Sequence, residues 1–345
     1  VNFLEIDGSH GEGGGQLTRM AMALAAITGR PIHLQNIRAR RPKPGLAAQH
    51  LTALKAVAAL SGGELEGAAL GATEVRFRPG RIGGGDYRFD VGTAGSIALV
   101  LQALLPVALH ADGPCRLTVT GGTDVKMAPP LDYLRLVFLP WIGRMGARVG
   151  IESVRHGYYP RGGGAVSLAV TPSRHLAPLV AESPGPLRAI RGVAHVARLP
   201  LSIPERMASA ARSLLADLGP VHIETKVLDD AEAFGTGGAM VLVAETETSL
   251  LGAACVAERG VPAERLGEDA GHALRAELLS GAAADVHAAD QLLIYLAQAR
   301  GGSRIVVRKA SLHAQTVMWL IERFLPVRFR VVALDGLSRI EVGRE

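Results

Sequence analysis

Cysteine is nearly absent: Cys115 and Cys255 are the two in a chain of 345 residues, too few for a disulfide framework or a cysteine zinc site. Aromatic side chains make up only 4%, which argues against extended stacking on single-stranded nucleic acid. Long apolar runs are missing too. The longest, near 97–109, is broken by Gln102 and Pro106, so no segment spans a bilayer. The opening Val1-Asn2-Phe3-Leu4-Glu5 has no basic segment followed by an apolar one, so we expect no signal peptide and a cytoplasmic location. Neither sign of charge dominates. Lys and Arg number 37 against 32 Asp and Glu, a net charge of +5, which permits an anionic partner without requiring one. Several chemistries have no motif: there is no Lys-x-Asp-Gly, Gly-x-Ser-x-Gly, His-x-His or Cys-x-x-Cys, hence no signature of a lysine-adenylate ligase, serine hydrolase or sequence-local metal site. Hydrophobic residues at 48% and charged ones at 20% describe a globular chain long enough for two domains or for one large core with an insertion.

Glycine, by contrast, is plentiful, with 42 residues, and it gathers where strands give way to helices. A strand over 3–7 leads to Gly8-Ser9-His10-Gly11-Glu12-Gly13-Gly14-Gly15 and a helix over 16–27. A strand at 32–37, a basic proline-bearing loop, a helix at 46–60 and strands near 64–66 and 75–77 close the unit. The order then recurs: strand 87–91, Gly92-Thr93-Ala94-Gly95-Ser96, helix 97–109, strand 116–120, a proline-bearing loop, helix 131–142, and strands at 147–151 and 165–170. Most of a third copy ends the chain, with helices at 288–299 and from 313, and strands at 304–308, 327–332 and 338–342. Such periodicity is an internal repeat. It predicts an α/β (α+β) protein of three βαβαββ-type units, each two helices on a four-stranded sheet. Glu182-Ser183-Pro184-Gly185-Pro186 reads as a linker opening a small inserted α/β domain over 185–281, the large domain being 1–184 and 282–345. Within the insert we expect a strand at 193–199, a helix at 204–218, strands at 221–227 and 240–246, and further helices.

The stretch Ser311-Leu312-His313-Ala314-Gln315-Thr316 precedes apolar positions 317, 320, 321, 324 and 325, the spacing of an amphipathic helix. Ser311 suits an N-cap, which places His313 in the first turn. There the helix dipole disfavours imidazolium, and the free N–H groups invite a phosphate. A neutral imidazole beside a phosphate site is what attack on phosphorus requires. A lone histidine one step from Val317 is more often a packing residue, so the weight comes from the rest of the chain.

The turn at 8–15 is neither a P-loop, having no Lys-Ser/Thr after its last glycine, nor a dinucleotide fingerprint, since Gln16 stands where the third glycine belongs. Glu12 within it is either a capping acid or a magnesium ligand. Arg38, Arg40, Arg41 and Lys43 form a basic run beside Pro42 and Pro44, either a solvated face or a clamp for a phosphate or RNA backbone. Gln49 and His50 occupy in unit one the place of His313 in unit three. A short grip on a strand end suits this composition better than an extended track.

Taken in order, these segments resemble the RNA 3′-terminal phosphate cyclase family nearly end to end. The likeness rests on Asp7-Gly8, Gly11 through Gln16, Ile37-Arg38-Ala39-Arg40-Arg41, Pro44-Gly45-Leu46, Gln49-His50, Gly121-Gly122-Thr123-Asp124, Ala128-Pro129-Pro130, Tyr159 through Gly164, Gly192-Val193-Ala194-His195, Asp290-Gln291, Ser311 through Thr316, and Glu322 through Phe329. The resemblance implies three βαβαββ repeats with an inserted domain. It implies ATP-dependent conversion of an RNA 3′-phosphate to a 2′,3′-cyclic phosphate, with His313 as the nucleophile that takes AMP. By the same resemblance Glu12 sits by a Mg2+ or Mn2+ ion. Gln16, Arg19, Gln102, His287, Asp290 and Gln291 hold ATP, with other nucleoside triphosphates open, and Arg38, Arg41, Gln49 and His50 hold phosphates. Close relatives stack an aromatic on adenine where this chain has His287, and a second aromatic expected near Leu250-Leu251 has no counterpart.

The partners implied are ATP and RNA 3′-phosphate ends, with no membrane and no obligate protein partner. Two other classes compete: a cyclase-like RNA-processing scaffold, which would lack the nucleophile kept here, and an enolpyruvyl transferase, which would form no covalent nucleotide.

Overall fold

A computed structural model describes residues 2–344; Val1 and Glu345, the outermost residues of the expected large domain, lie outside that range. β1 (Leu4–Asp7) enters the glycine turn and α1 (Gly15–Thr28), whose Leu17, Met20, Ala21 and Leu24 are buried as their spacing predicts. β2 (Ile32–Gln35), α2 (Ala48–Leu60), β3 (Glu64–Glu66) and β4 (Val75–Arg78) follow. β1 and β2 pair in parallel, the others antiparallel, in the order β1-β2-β4-β3. β2 ends two residues before the expected 37. Asn36 and Arg38 take φ of 52° and 53°, left-handed conformations that turn the chain out of the sheet.

β5 (Gly85–Asp90), α3 (Ile97–Ala108) and β6 (Cys115–Gly121) lead into a loop. The helix expected at 131–142 is interrupted: α4 (Leu131–Tyr133) passes through a π-helical stretch, Leu134–Phe138, into α5 (Leu139–Arg144). Pro140 supplies the reason, since it has no N–H to give and crowds the preceding turn, and a widened turn absorbs both effects. β7 (Arg148–Gly157) and β8 (Gly164–Thr171) complete this sheet. β9 (Val180–Ala181), a strand too short for a periodicity to announce, pairs in parallel with a strand more than a hundred residues later.

β10 (Leu187–Ala197), α6 (Ser202–Leu215), β11 (Val221–Leu228), β12 (Ala233–Phe234), β13 (Gly237–Thr246), β14 (Leu250–Val256) and α7 (Ala263–Leu279) come next. Where further helices were expected straight after 246, the chain first makes β14, whose Leu251 and Ala253 are buried on the sheet. The chain ends with α8 (Val286–Gln298), β15 (Ser303–Val307), α9 (Leu312–Glu322), β16 (Val327–Leu334) and β17 (Leu337–Arg344).

Among the described residues the remaining sheets run β12-β7-β8-β6-β5, β16-β17-β15-β9 and β11-β10-β13-β14. The protein is thus a mixed α/β fold of several sheets with helices packed on them. One large core joins α1, α2, α3, α8 and α9; a second, holding Ile190, Met207, Met240, Leu266 and Leu274, lies wholly within 187–278. No helix among the described residues is long and apolar enough to cross a membrane.

Candidate active site

α9 is held from behind. Val317, Leu320, Ile321 and Phe324 are buried, each burial worth roughly 1.5–3 kcal/mol, and this fixes the helix with its N-terminus at a cavity. Ser311 is the N-cap: its Oγ accepts from the Ala314 N–H (2.9 Å) and donates to Asp290 Oδ1 (2.6 Å). His313 therefore stands in the first turn, as its position predicts, with its side chain 46% exposed. Asp290 is carried by α8, whose own N-cap, Asp285, accepts from the His287 and Ala288 N–H groups and from the Tyr133 hydroxyl.

The first glycine turn is fastened to α9. The Glu12 N–H donates to Thr316 Oγ1 (3.0 Å), which donates onward to the Leu312 carbonyl (2.7 Å), and His10 stacks on Trp319 at 3.7 Å. A Cβ at Gly11 would strike Thr316, and φ there is 57°, so glycine is required for this approach. The outcome is that the Glu12 carboxylate lies 3.7 Å from His313 Nδ1 and pairs with Arg41.

Behind it, Gly14 is the N-cap of α1 and offers no side-chain cap. Gly15 leaves room for the His50 ring, which a Cβ would strike; His50 Nδ1 accepts from the Ala47 N–H (3.3 Å) and so caps α2. Gln49 Oε1 accepts from the Ser96 N–H (2.8 Å). Arg38 donates to the Gly45 carbonyl (2.6 Å). Gln16 reaches the Asp290 carbonyl at 3.5 Å, and Gln291 donates to the His287 carbonyl at 3.0 Å. Arg19, on α1, is buried, and its Nε finds no hydrogen-bond partner among the described residues; neither does Gln291 Oε1.

Twelve residues singled out in the sequence line one cavity of about 370 Å³: Glu12, Gln16 and Arg19 from the first turn and helix, Arg38, Arg41, Gln49 and His50 from the basic loop and α2, Gln102 from α3, His287, Asp290 and Gln291 from α8, and His313, whereas Arg40 and Lys43 of the basic run are not among its lining. Gly15, Leu99, Met127 and Pro129 line it as well and had not been singled out as site residues. The segment Ala128-Pro129-Pro130 stood in the sequence without a role. Met127 is 87% exposed with φ of 63°, a conformation no spacing rule foretells. Leu250 and Leu251 open β14 and are not among the residues lining the cavity.

Three guanidiniums face two carboxylates here, and the electrostatics follow. Burial holds the His50 pKa down at about 3, with Arg19, Arg38 and Arg41 pushing the same way. Burial lowers the His313 pKa as well; Arg41 and Arg19 add to the effect and Asp290 opposes it. Burial raises the Asp290 carboxyl and brings Arg19 down to about 10. A neutral imidazole thus looks into a cationic cavity with one unpartnered donor, Arg19 Nε, and one unpartnered acceptor, Gln291 Oε1. The buried Arg19 Nε and the free Gln291 oxygen fit a ligand that brings phosphate acceptors and a polar base, and Glu12, an oxygen donor, fits a hard divalent cation.

Strand–glycine turn–helix units converging an imidazole, carboxylates and guanidiniums on one cavity define a protein that handles phosphate groups. Comparison with known proteins is more specific. The family model described as RNA 3′-terminal phosphate cyclase matches residues 10–331. RNA 3′-terminal phosphate cyclase of Nitrosospira multiformis is 52% identical over 99% of this chain and 97% of its own. Those of Pyrobaculum neutrophilum (44%, over 98% of each chain) and Methanopyrus kandleri (43%, over 97% of each) are similar throughout. The chain belongs to the RNA 3′-terminal phosphate cyclase family. A solved enolpyruvyl transferase, NikO of Streptomyces tendae, aligns at 11% identity over 99% of this chain and 81% of that one with a TM-score of 0.26, and this likeness carries no argument.

Proposed function

We propose that this protein converts the 3′-phosphate of an RNA end to a 2′,3′-cyclic phosphate at the expense of ATP, through an adenylate on His313. The observation that carries the reading is the placement of a neutral histidine at a helix N-terminus, in a cavity it shares with Arg19, Arg38 and Arg41. In the first step a ring nitrogen of His313 attacks the α-phosphorus of ATP, the bond to the β-phosphate oxygen breaks, and pyrophosphate leaves. An oxygen of the RNA 3′-phosphate then attacks the same phosphorus and the P–N bond breaks, so a poor leaving group becomes AMP. The neighbouring 2′-hydroxyl, losing its proton, closes on the 3′-phosphorus and expels AMP. Such transfers need positioning and positive charge more than covalent help from the protein.

Each residue has a part. Ser311 and Asp290 hold His313 at the helix start. Arg19, Arg38, Arg41, Gln49 and His50 bind phosphates; a ligand phosphate would compete with Glu12 for Arg41. Gln16, Gln102, Asp290 and Gln291 surround the nucleotide, and His287, exposed at the head of α8, offers its ring to the base. Glu12 would hold Mg2+ or Mn2+, which supplies charge neutralisation at the phosphates when bound. We also read the sheets β1-β2-β4-β3, β5-β6-β8-β7 and β9-β15-β17-β16 as three copies of one βαβαββ unit. Residues 185–281, with their separate core, form a small domain inserted after the first strand of the third copy.

The test is incubation with α-labelled ATP and magnesium in the absence of RNA. Protein-bound label that is lost in acid, survives alkali and disappears in His313→Asn is expected. Deleting a nucleophile typically costs 10⁴-fold or more, and cyclase turnover should fall on that scale. Folded protein that takes up no label from any common nucleoside triphosphate and divalent metal would leave an RNA-processing scaffold as the function.

A further inference from the structure

Outside the cavity, a second group of ionisable side chains is packed between the 187–278 segment and the rest of the protein. Asp124 sits in the loop after β6, His156 on β7 and His195 on β10; Asp132 lies on α4 behind them. Asp124 and His195 are each only 1% exposed. His156 Nδ1 lies 2.8 Å and His195 Nε2 3.6 Å from one oxygen, Asp124 Oδ2. One ligand atom from each of the three residues falls within 4.8 Å of the others.

The hydrogen bonding here is incomplete. Asp124 Oδ1, His195 Nε2 and the Tyr158 hydroxyl are buried, and none has a partner among the described residues. Three unpaired buried polar atoms on neighbouring side chains cost the fold several lost hydrogen bonds unless something joins them. Zinc bound tetrahedrally by nitrogen and oxygen at about 2.0–2.1 Å sets its ligands about 3.3 Å apart. The separations of 2.8 and 3.6 Å bracket that value, the shorter being a direct hydrogen bond of His156 Nδ1 with Asp124 Oδ2 that an ion would replace, and the third lies within 4.8 Å. The remaining ring nitrogen of His195 faces Asp132 Oδ2 at 3.5 Å, the carboxylate–histidine arrangement that orients an imidazole toward a metal. Thr123 Oγ1 donates to Asp124 Oδ2 (2.6 Å) and helps fix that carboxylate. Two imidazoles and one carboxylate suit a borderline transition ion better than Mg2+ or Ca2+, which prefer oxygen alone.

We propose that Asp124, His156 and His195 bind one zinc ion, separate from any metal at Glu12, with the fourth position filled by water from the adjoining cavity or by the Tyr158 hydroxyl. That cavity, about 210 Å³, is lined in part by Asp132, Lys226 and Glu232. The ion cross-links β10 to the loop after β6. Three residues beyond Asp124 in that loop, Met127 reaches the His313 cavity, so the same ion steadies one of its walls.

The full-length protein, stripped with chelator and then equilibrated with zinc alone, should retain about one equivalent per chain and melt at higher temperature than the stripped form. Retention should persist in Glu12→Gln and be lost in His195→Gln. Cobalt in place of zinc should give the visible absorption of a low-coordinate site, absent in His156→Gln. His156 is at the edge of the cluster, with its side chain 12% exposed, so that variant keeps the test open if burial makes His195→Gln fail to fold. Stripped, folded protein that binds neither metal overturns the proposal. So does uptake that is lost in Glu12→Gln or unchanged in a folded His156→Gln.

Discussion

Two glycine turns connect a strand to a helix in this molecule, one before α1 and one before α3, and they end in opposite ways. At α3 the protein satisfies its own helix start: Ser96 Oγ accepts from the Leu99 N–H at 3.2 Å, and the Ser96 N–H is taken by Gln49. Asp90 closes the rest, accepting from Gly92 and Thr120. At α1 no side chain among the described residues caps the helix, and the turn borders the cavity with Arg19 Nε unpaired behind it. Glycine count does not separate a turn for packing from a turn for a ligand. What separates them is whether the chain supplies the acceptors itself.

The largest effect that would sharpen this contrast is at Arg19. Arg19→Met keeps the length and removes a buried charge, so nucleotide labelling should drop by about 10²-fold, the scale seen when a single phosphate-stabilising donor is lost. The melting temperature should not fall, because an unpaired buried cation contributes no stability. A variant that labels normally would show that the cavity does not use this arginine.

Next come Arg38→Ala and Arg41→Ala. Each should weaken RNA binding and reduce the slope of log affinity against log salt by about one if it contacts a phosphate. Unchanged slopes in both would remove the clamp.

The pH dependence of labelling offers a subtler test. Attack needs neutral imidazole, so labelling should decline as pH falls through the His313 pKa, which lies below the usual histidine value. Asp290→Asn removes an attraction for imidazolium and should move the acid limb to lower pH; Arg41→Ala removes a repulsion and should move it higher. If neither shifts the limb, another group controls it. The smallest effect belongs to the second turn: Ser96→Ala should cost about 1 kcal/mol of stability with labelling intact.

Much of this was legible in the sequence because it is local. Ser311 before a 3.6-period stripe announces an N-cap, and an N-cap fixes which residues share the first turn. The basic loop and Glu12 were legible as types, and corresponding positions in the repeat hinted that they would meet. What was not legible depends on partners far away in the chain. β9 exists only because β15 offers an edge. The widened turn at Leu134–Phe138 depends on how Pro140 is accommodated. Asp124, His156 and His195 escape any spacing rule, since each comes from a different element. Met127 lines the cavity through a backbone conformation that side-chain chemistry does not encode.

The hydrogen bond from Glu12 to Thr316 spans 304 positions, and with the stack of His10 on Trp319 it ties the first turn to the last helix. Glu12 and His313 therefore meet through a contact of long sequence separation, whose loop-closure entropy is offset only when the units between them have folded. The geometry around His313 is thus a property of the assembled fold, and neither segment holds it alone.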